Sequence, residues 1–216
     1  MPNKGSFVVI LVHGLWMTKA ALSFQRRYLQ RHGYEVALYS YPSRRATLSD
    51  AARGLAQLVS AQRADQIHLV GHSMGGMVIL QMLEEFPLDR IGRIVLMGTP
   101  YRDSAPARAL IKSEIGRWFL GVGIPQWLKK DKSKTIMSYE LGVIAGCCGF
   151  GLGQMLARLP VPHDGTVAVK ETQIPDMRDS IVLPVTHTGM LVSSKVASQV
   201  YAFLETGRFN QLATTR

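Results

Sequence analysis

The sequence predicts an α/β fold, with a mostly parallel central sheet of about six strands and helices on both faces. Three observations support this. The chain has 216 residues, enough for one well-buried domain and short for two. Apolar, β-branched runs alternate with stretches of helical periodicity at the spacing of βαβ units. The residue types that carry chemistry come just after the predicted strands, where open α/β sheets place their ligands.

The elements follow in chain order. Phe7-Val8-Val9-Ile10-Leu11-Val12 is a continuous apolar run ending at His13-Gly14, which suits a strand buried on both faces. Thr18 opens a helical pattern in which Leu22, Tyr28 and Leu29 recur up to Gly33, a natural stop signal. A strand is expected from Glu35 to Tyr41, before Pro42. Thr47 or Ser49 can cap a helix through Leu48, Ala52, Leu55 and Val59. Gln66 to Val70 reads as a strand running straight into Gly71, and Met74 to Phe86 as the helix after it, closed by Pro87. Arg93 to Met97 forms a strand ending at Gly98-Thr99-Pro100, with later strands near Leu141 to Ala145 and Ser180 to Val185. A helix from Ser193 to Leu204 ends the fold. No repeat or low-complexity tract interrupts this order, and the glycine-rich stretch from Gly146 to Gly153 reads as a flexible turn.

Apolar residues make up 47% of the chain and charged ones 19%, as in a packed, soluble globule. No apolar run approaches the roughly 20 residues needed to cross a bilayer. With the first strand beginning at Phe7 there is no room for a signal peptide. The only cysteines, Cys147 and Cys148, are adjacent and cannot form an ordinary long-range disulfide, so a cytoplasmic location is expected. The formal charge of +10 raises the question of nucleic acid, but the 25 Lys and Arg residues are dispersed. The densest clusters, Arg26-Arg27-Arg31 and Lys129-Lys130-Lys132-Lys134, read as solvated faces. No nucleic-acid partner is expected, and a weak attraction to anionic membrane surfaces stays open.

The chemistry starts at Gly71-His72-Ser73-Met74-Gly75, a G-x-S-x-G pattern lying where a buried strand meets a helix. A serine on so sharp a turn needs glycines two residues to either side, because side chains there would collide with the adjoining strand and helix. The hydroxyl needs a histidine to take its proton. Of six histidines only His187 follows a late strand and lies downstream of an acid; His163 is its competitor. Asp164, in His163-Asp164-Gly165-Thr166-Val167, suits the acid that orients the base. Asp176 and Asp179 fall at the wrong end of the final strand, and Asp131 is a remote alternative in a Lys-rich loop. The developing oxyanion needs two backbone donors, assigned to the N–H groups of Leu15 and Met74. His13 and His72 are expected to shape the loops around the serine. No His/Cys/Asp cluster has ligand spacing, so neither metal nor organic cofactor is implied.

These segments, together with Gly98-Thr99-Pro100 and His187-Thr188-Gly189-Met190-Leu191, resemble the small bacterial lipases and esterases of the α/β-hydrolase superfamily over nearly the whole chain. The resemblance implies Ser73, Asp164 and His187 as a catalytic triad, Leu15 and Met74 as the oxyanion hole, and a compact α/β-hydrolase sheet with no large cap domain. The departure is a basic and aromatic insert between Tyr101 and Tyr139.

The expected reaction is hydrolysis of a carboxylic ester, of a small molecule or a lipid, through an acyl-serine intermediate. Acyl transfer or thioester cleavage could use the same triad, and a non-catalytic binding module is the alternative from another class. Serine at position 73 argues against the carboxylate nucleophile that dehalogenases and epoxide hydrolases would place there. In the insert, Ala107, Leu110, Ile111, Ile115, Trp118 and Phe119 recur at near-helical spacing, so the stripe is expected to pack on the sheet. The competing expectation is that its end, with Trp118 and Trp127 and joined by Trp16, overhangs Ser73 as a small lid and lines the acyl pocket.

Overall fold

In the computed structural model, which describes residues 6–131, 139–149 and 159–211, six parallel strands form one sheet in the order β2-β1-β3-β4-β5-β6. They are β1 (Phe7–Val12), β2 (Glu35–Tyr39), β3 (Gln66–His72), β4 (Ile91–Met97), β5 (Leu141–Gly146) and β6 (Asp179–Leu183). The order reverses between β1 and β3, so the switch point lies at the end of those two strands. There β3 stays paired through Gly71 opposite Val12 and His72 opposite Met97. Local sequence pattern ends this strand at Val70. Glycine and histidine are poor strand formers, but neighbours on both sides hold them in the ladder.

Helices α1 (Ser23–Arg31), α2 (Leu48–Ala61) and α3 (Met74–Glu85) follow the first three strands in turn. Thr47, not Ser49, caps α2: its side chain accepts from the Asp50 amide. Thr18 caps a single tight turn, Lys19–Leu22, and α1 itself starts at Ser23. After β4 the insert forms three short helices, α4 (Ala105–Leu110), α5 (Glu114–Leu120) and α6 (Gly123–Lys129). The final helix α7 (Ser194–Thr206) is capped by Ser193 and stopped by Gly207 in the left-handed conformation. Lys132 and Lys134 of the basic cluster, and residues 150–153 of the glycine-rich stretch, lie outside the described residues.

Alternation along the strands divides the core between the two faces of the sheet. Val8, Ile10, Val12, Ile67, Leu69, Ile94 and Leu96 pack against α2, α3 and α6. Val9, Leu11, Val70, Val95, Met97 and Ile144 pack against α1 and α7. The insert joins the first of these layers through Ala107, Leu120, Ile124 and Trp127. The expectation of a stripe packed on the sheet is therefore met in part: Ala107 is buried, whereas Ile115, Trp118 and Phe119 are exposed.

His68 is buried on the second face, its ring stacked on Phe7 and its Nδ1 accepting from the Arg93 amide at 2.8 Å. Burial first, and the Arg93 charge second, hold its pKa down to about 4, against an ordinary 6.5. As pH falls below 6.5 the unfolded chain takes up this proton before the folded one, so stability declines until pH is about 4. In His68→Gln, which keeps an acceptor for the Arg93 amide, the urea midpoint should fall less steeply across this window than in the wild type; equal slopes would count against it.

Candidate active site

Ser73 joins β3 to α3 with φ 53° and ψ −121°, a left-handed conformation that a non-glycine residue holds only under constraint. The constraint is visible. The Ser73 amide donates to the Met97 carbonyl at 2.9 Å, and its own carbonyl accepts from the Gly76 amide and the Thr99 hydroxyl, both at 3.0 Å. Glycines make this turn possible. A Cβ on Gly75 would lie 2.2 Å from the Val12 carbonyl oxygen, and one on Gly71 would lie 2.7 Å from the Gly76 backbone. The helix can therefore start directly against the end of β1, and Met74 becomes its first residue, with an amide that precedes the intrahelical ladder.

Asp164 and His187 come together at the ends of β5 and β6. His187 Nδ1 lies 2.7 Å from Asp164 Oδ2, with both residues buried. The other carboxylate oxygen, Oδ1, accepts from the amides of Thr166 at 2.9 Å and Val167 at 2.7 Å. The Asp-Gly turn is thus a device that aims the carboxylate. The two residues are also tied through the main chain, the His187 amide donating to the Asp164 carbonyl at 2.9 Å.

His72 couples this pair to the turn at Ser73. Its Nε2 donates to the His187 carbonyl at 2.9 Å, and the two rings lie 4.8 Å apart. Burial, with the nearby His187 second, lowers its pKa to about 3, so the ring is neutral and Nδ1 is a bare acceptor. That atom is buried without a partner among the described residues. His13 plays a similar part for the loop after β1. Its ring stacks on Tyr41, and its carbonyl accepts from the Tyr41 hydroxyl at 2.9 Å, while burial lowers its pKa. Both histidines thus brace loops beside Ser73, the position the sequence suggests for them.

The other acids and histidine considered from the sequence have different surroundings. His163 Nδ1 accepts from the Gly165 amide at 3.1 Å, so that ring shapes the Asp164 turn. Asp179 is at the start of β6 and holds the amides of Ser180 and Phe209, at the far end of the sheet, and Asp176 is exposed just before it. Asp131 is exposed beyond α6.

Leu15 is half-buried in the loop after β1, followed by Trp16 in a left-handed conformation with φ 59°. The Trp16 amide donates to the Ser43 hydroxyl at 3.2 Å. Of the three tryptophans proposed as pocket walls, two come together: Trp16 and Trp118 have ring centres 5.6 Å apart, and the Trp16 indole donates to the Phe119 carbonyl at 2.9 Å. Trp127 sits apart from this pair. It is only 2% exposed, and its indole donates to the Pro100 carbonyl at 3.0 Å, so it anchors the insert to the loop after β4. Sequence reasoning missed Arg44, whose guanidinium carbon lies 4.7 Å from the Trp16 ring centre and 4.2 Å from that of Trp118. Only the arginine next to Ser43 could have hinted at it.

The sequence matches the family model for the alpha/beta hydrolase family over residues 9–193. The chain belongs to this family. Among solved structures, the mature Bacillus licheniformis lipase BlEst2 superposes with a TM-score of 0.74 at 17% identity, covering 96% of this chain and 94% of that one. The phospholipase PlaB from Legionella pneumophila superposes with a TM-score of 0.69 at 19% identity, covering 91% of this chain and 56% of that one. At these identities the likeness is one of fold. A curated relative, the homoserine O-acetyltransferase of Geotalea daltonii, is 36% identical over 90 residues, 41% of this chain and 23% of that protein. The chain thus matches less than a quarter of that relative's length.

Gly98 lies between the two halves of the site with φ +58°, and a Cβ at this position would fall 3.1 Å from His187 Nδ1 and 3.2 Å from Asp164 Oδ2. Gly98→Ala should lower stability by about 1–3 kcal/mol, because alanine is strained there and crowds the pair. Urea unfolding monitored by tryptophan fluorescence checks this; an unchanged midpoint would contradict it.

Proposed function

We propose that this hydrolase cleaves carboxylic esters by way of an acyl-serine, with Ser73 as nucleophile, His187 as base and Asp164 as the acid that orients it. The supporting observation is the His187–Asp164 pair, bonded at 2.7 Å and linked through His72 to the strained turn that carries Ser73. In this reading His187 Nδ1–H donates to Asp164, leaving Nε2 as the bare nitrogen that accepts the Ser73 proton. The serine oxygen adds to the ester carbonyl, and the amides of Leu15 and Met74 bind the resulting oxyanion. The start of α3 adds the positive end of its dipole. Collapse expels the alcohol with the proton from His187. Water, deprotonated by the same nitrogen, then releases the acid and restores the serine.

Acyl transfer to an alcohol is the second reading, and the match to a homoserine O-acetyltransferase favours it. The two share the acyl-serine and differ only in what attacks it. Incubation with a p-nitrophenyl ester and a range of alcohols separates them: free acid is the product of hydrolysis, and a new ester that of transfer.

Tests of the assignment are direct. Ser73→Ala should fold normally and lose labelling by a fluorophosphonate probe, since only an activated serine attacks phosphorus at useful rates. Full labelling of that variant would remove Ser73 from the mechanism. Asp164→Asn should lower kcat about 10⁴-fold by misaligning the base and withdrawing the charge that stabilises its protonated form. Asp179→Asn should leave kcat within about twofold, because Asp179 acts at the other end of the sheet.

The substrate class follows from the insert. Its helices have six or seven residues each and are pinned by Trp127 to Pro100, and a Cβ on Gly123 would lie 2.5 Å from Met74 Cε. We infer from a segment so short and so anchored that it does not act as a large closing lid over Ser73. Soluble short-chain esters should therefore be cleaved with little or no activation by an oil-water surface. A sharp rise in rate only above the solubility limit of a long-chain triglyceride would show a closing lid instead.

A further inference from the structure

Helix α5 is inverted with respect to the usual amphipathic pattern. Its small face, Gly116 and Leu120, is buried, with a Cβ on Gly116 falling 1.9 Å from the Leu110 carbonyl oxygen. The positions at i, i+3 and i+4 face water, with Ile115 81% exposed, Trp118 60% and Phe119 40%, and Val122, just past the Gly121 that ends the helix, is 42% exposed. Trp16, 49% exposed, extends this stripe from the loop after β1, its ring 5.6 Å from those of both Trp118 and Phe119. Scattered apolar residues on a surface need no explanation, but five in one contiguous patch do.

The patch carries cations. Arg44 is stacked against Trp16 and Trp118, and Lys112 and Arg117 are exposed on the flanking chain, against a single acid, Glu114, in the first turn of α5. The chain as a whole has a formal charge of +10. A second copy would bring the same positive charge to meet this rim, which disfavours self-association. A negatively charged surface with an apolar interior satisfies both components. Tryptophan rings settle at the boundary between headgroups and acyl chains, and arginines beside them meet the phosphates.

We propose that this patch docks the hydrolase on an anionic lipid bilayer, with Trp16, Trp118, Phe119 and Ile115 in the interfacial layer and Arg44 at the headgroup phosphates. The docking face adjoins the site, because Trp16 follows Leu15 and α6, which follows this stripe, packs on Met74. Docking therefore brings bilayer esters to the side of the molecule that carries Ser73, the nucleophile of the proposed reaction.

The full chain, as wild type and as Ser73→Ala, is sedimented with vesicles of phosphatidylcholine alone and of phosphatidylcholine with phosphatidylglycerol. Both proteins should bind the anionic vesicles, about tenfold more weakly when salt is raised from about 0.05 M to about 1 M. The double variant I115E/V122E, altered only at exposed positions, should lose about tenfold in vesicle partitioning. Its hydrolysis of a soluble short-chain ester should match the wild type. Arg44→Gln should weaken binding to anionic vesicles selectively. Failure of the wild type to bind, unchanged binding by I115E/V122E, or a wild-type dimer that this variant converts to monomer would overturn the proposal. Because Ser73→Ala reads docking without catalysis, bound protein that cleaves no ester would sink the esterase reading and leave docking standing.

Discussion

The architecture of this chain rests on one close approach, that of the N-terminus of α3 to the end of β1. Gly75 lies so near the Val12 and His13 carbonyls that any side chain would overlap them, and Gly76 stands in the same relation to Thr99. Only with the helix this deep can Ser73 stand at the apex of the turn with positive φ. The helix then starts directly behind Ser73, and the positive end of its dipole lies beside that residue. The backbone strain at Ser73, of the order of 1–3 kcal/mol, is offset by three hydrogen bonds on its amide and carbonyl and by the burial of α3 behind it.

A second constraint is electrostatic. Burial depresses the pKa of His13, His68 and His72, so these rings act as neutral donors and acceptors within the framework. His72 uses its one proton on the His187 carbonyl, which fixes the loop and leaves the His187 ring free to pair with Asp164. A charged residue at position 72 would have no partner in a fully buried place. The histidines thus divide into neutral rings that brace the framework and one ring paired with a carboxylate, the one to which proton transfer is assigned in the proposed reaction.

Much of this was legible in the sequence, and the exceptions have physical causes. The strands showed as unbroken β-branched runs because both faces of a parallel sheet are covered. The pairing of Asp164 with His187, read from residue types placed just past strands, is met by their 2.7 Å bond, and the turn expected at Ser73 is there with positive φ. Strand ends were less legible: β3 runs on through Gly71 and His72 because β1 and β4 flank it, and local propensity carries no record of neighbours. The insert was misread for a related reason. Helical periodicity marks which residues share a face, not which face is buried. In α5 the tight contact of Gly116 with Leu110 decides the orientation, and that contact links positions in two separate helices.

This orientation connects stability to function on the insert. Helices of six or seven residues have little stability of their own, so each must be held by contacts that outweigh its ordering entropy. Trp127 supplies the largest such contact: its side chain is buried between α6 and the loop after β4, and its indole is bonded to Pro100. Gly121, packed against the Arg44 backbone, supplies another and ties the insert to the loop after β2. With these anchors below, the wide side chains of α5 are not required for folding and can stand in water as a patch. Because Gly116 and Leu120 make the buried contacts of α5 instead, Trp118 and Phe119 remain exposed.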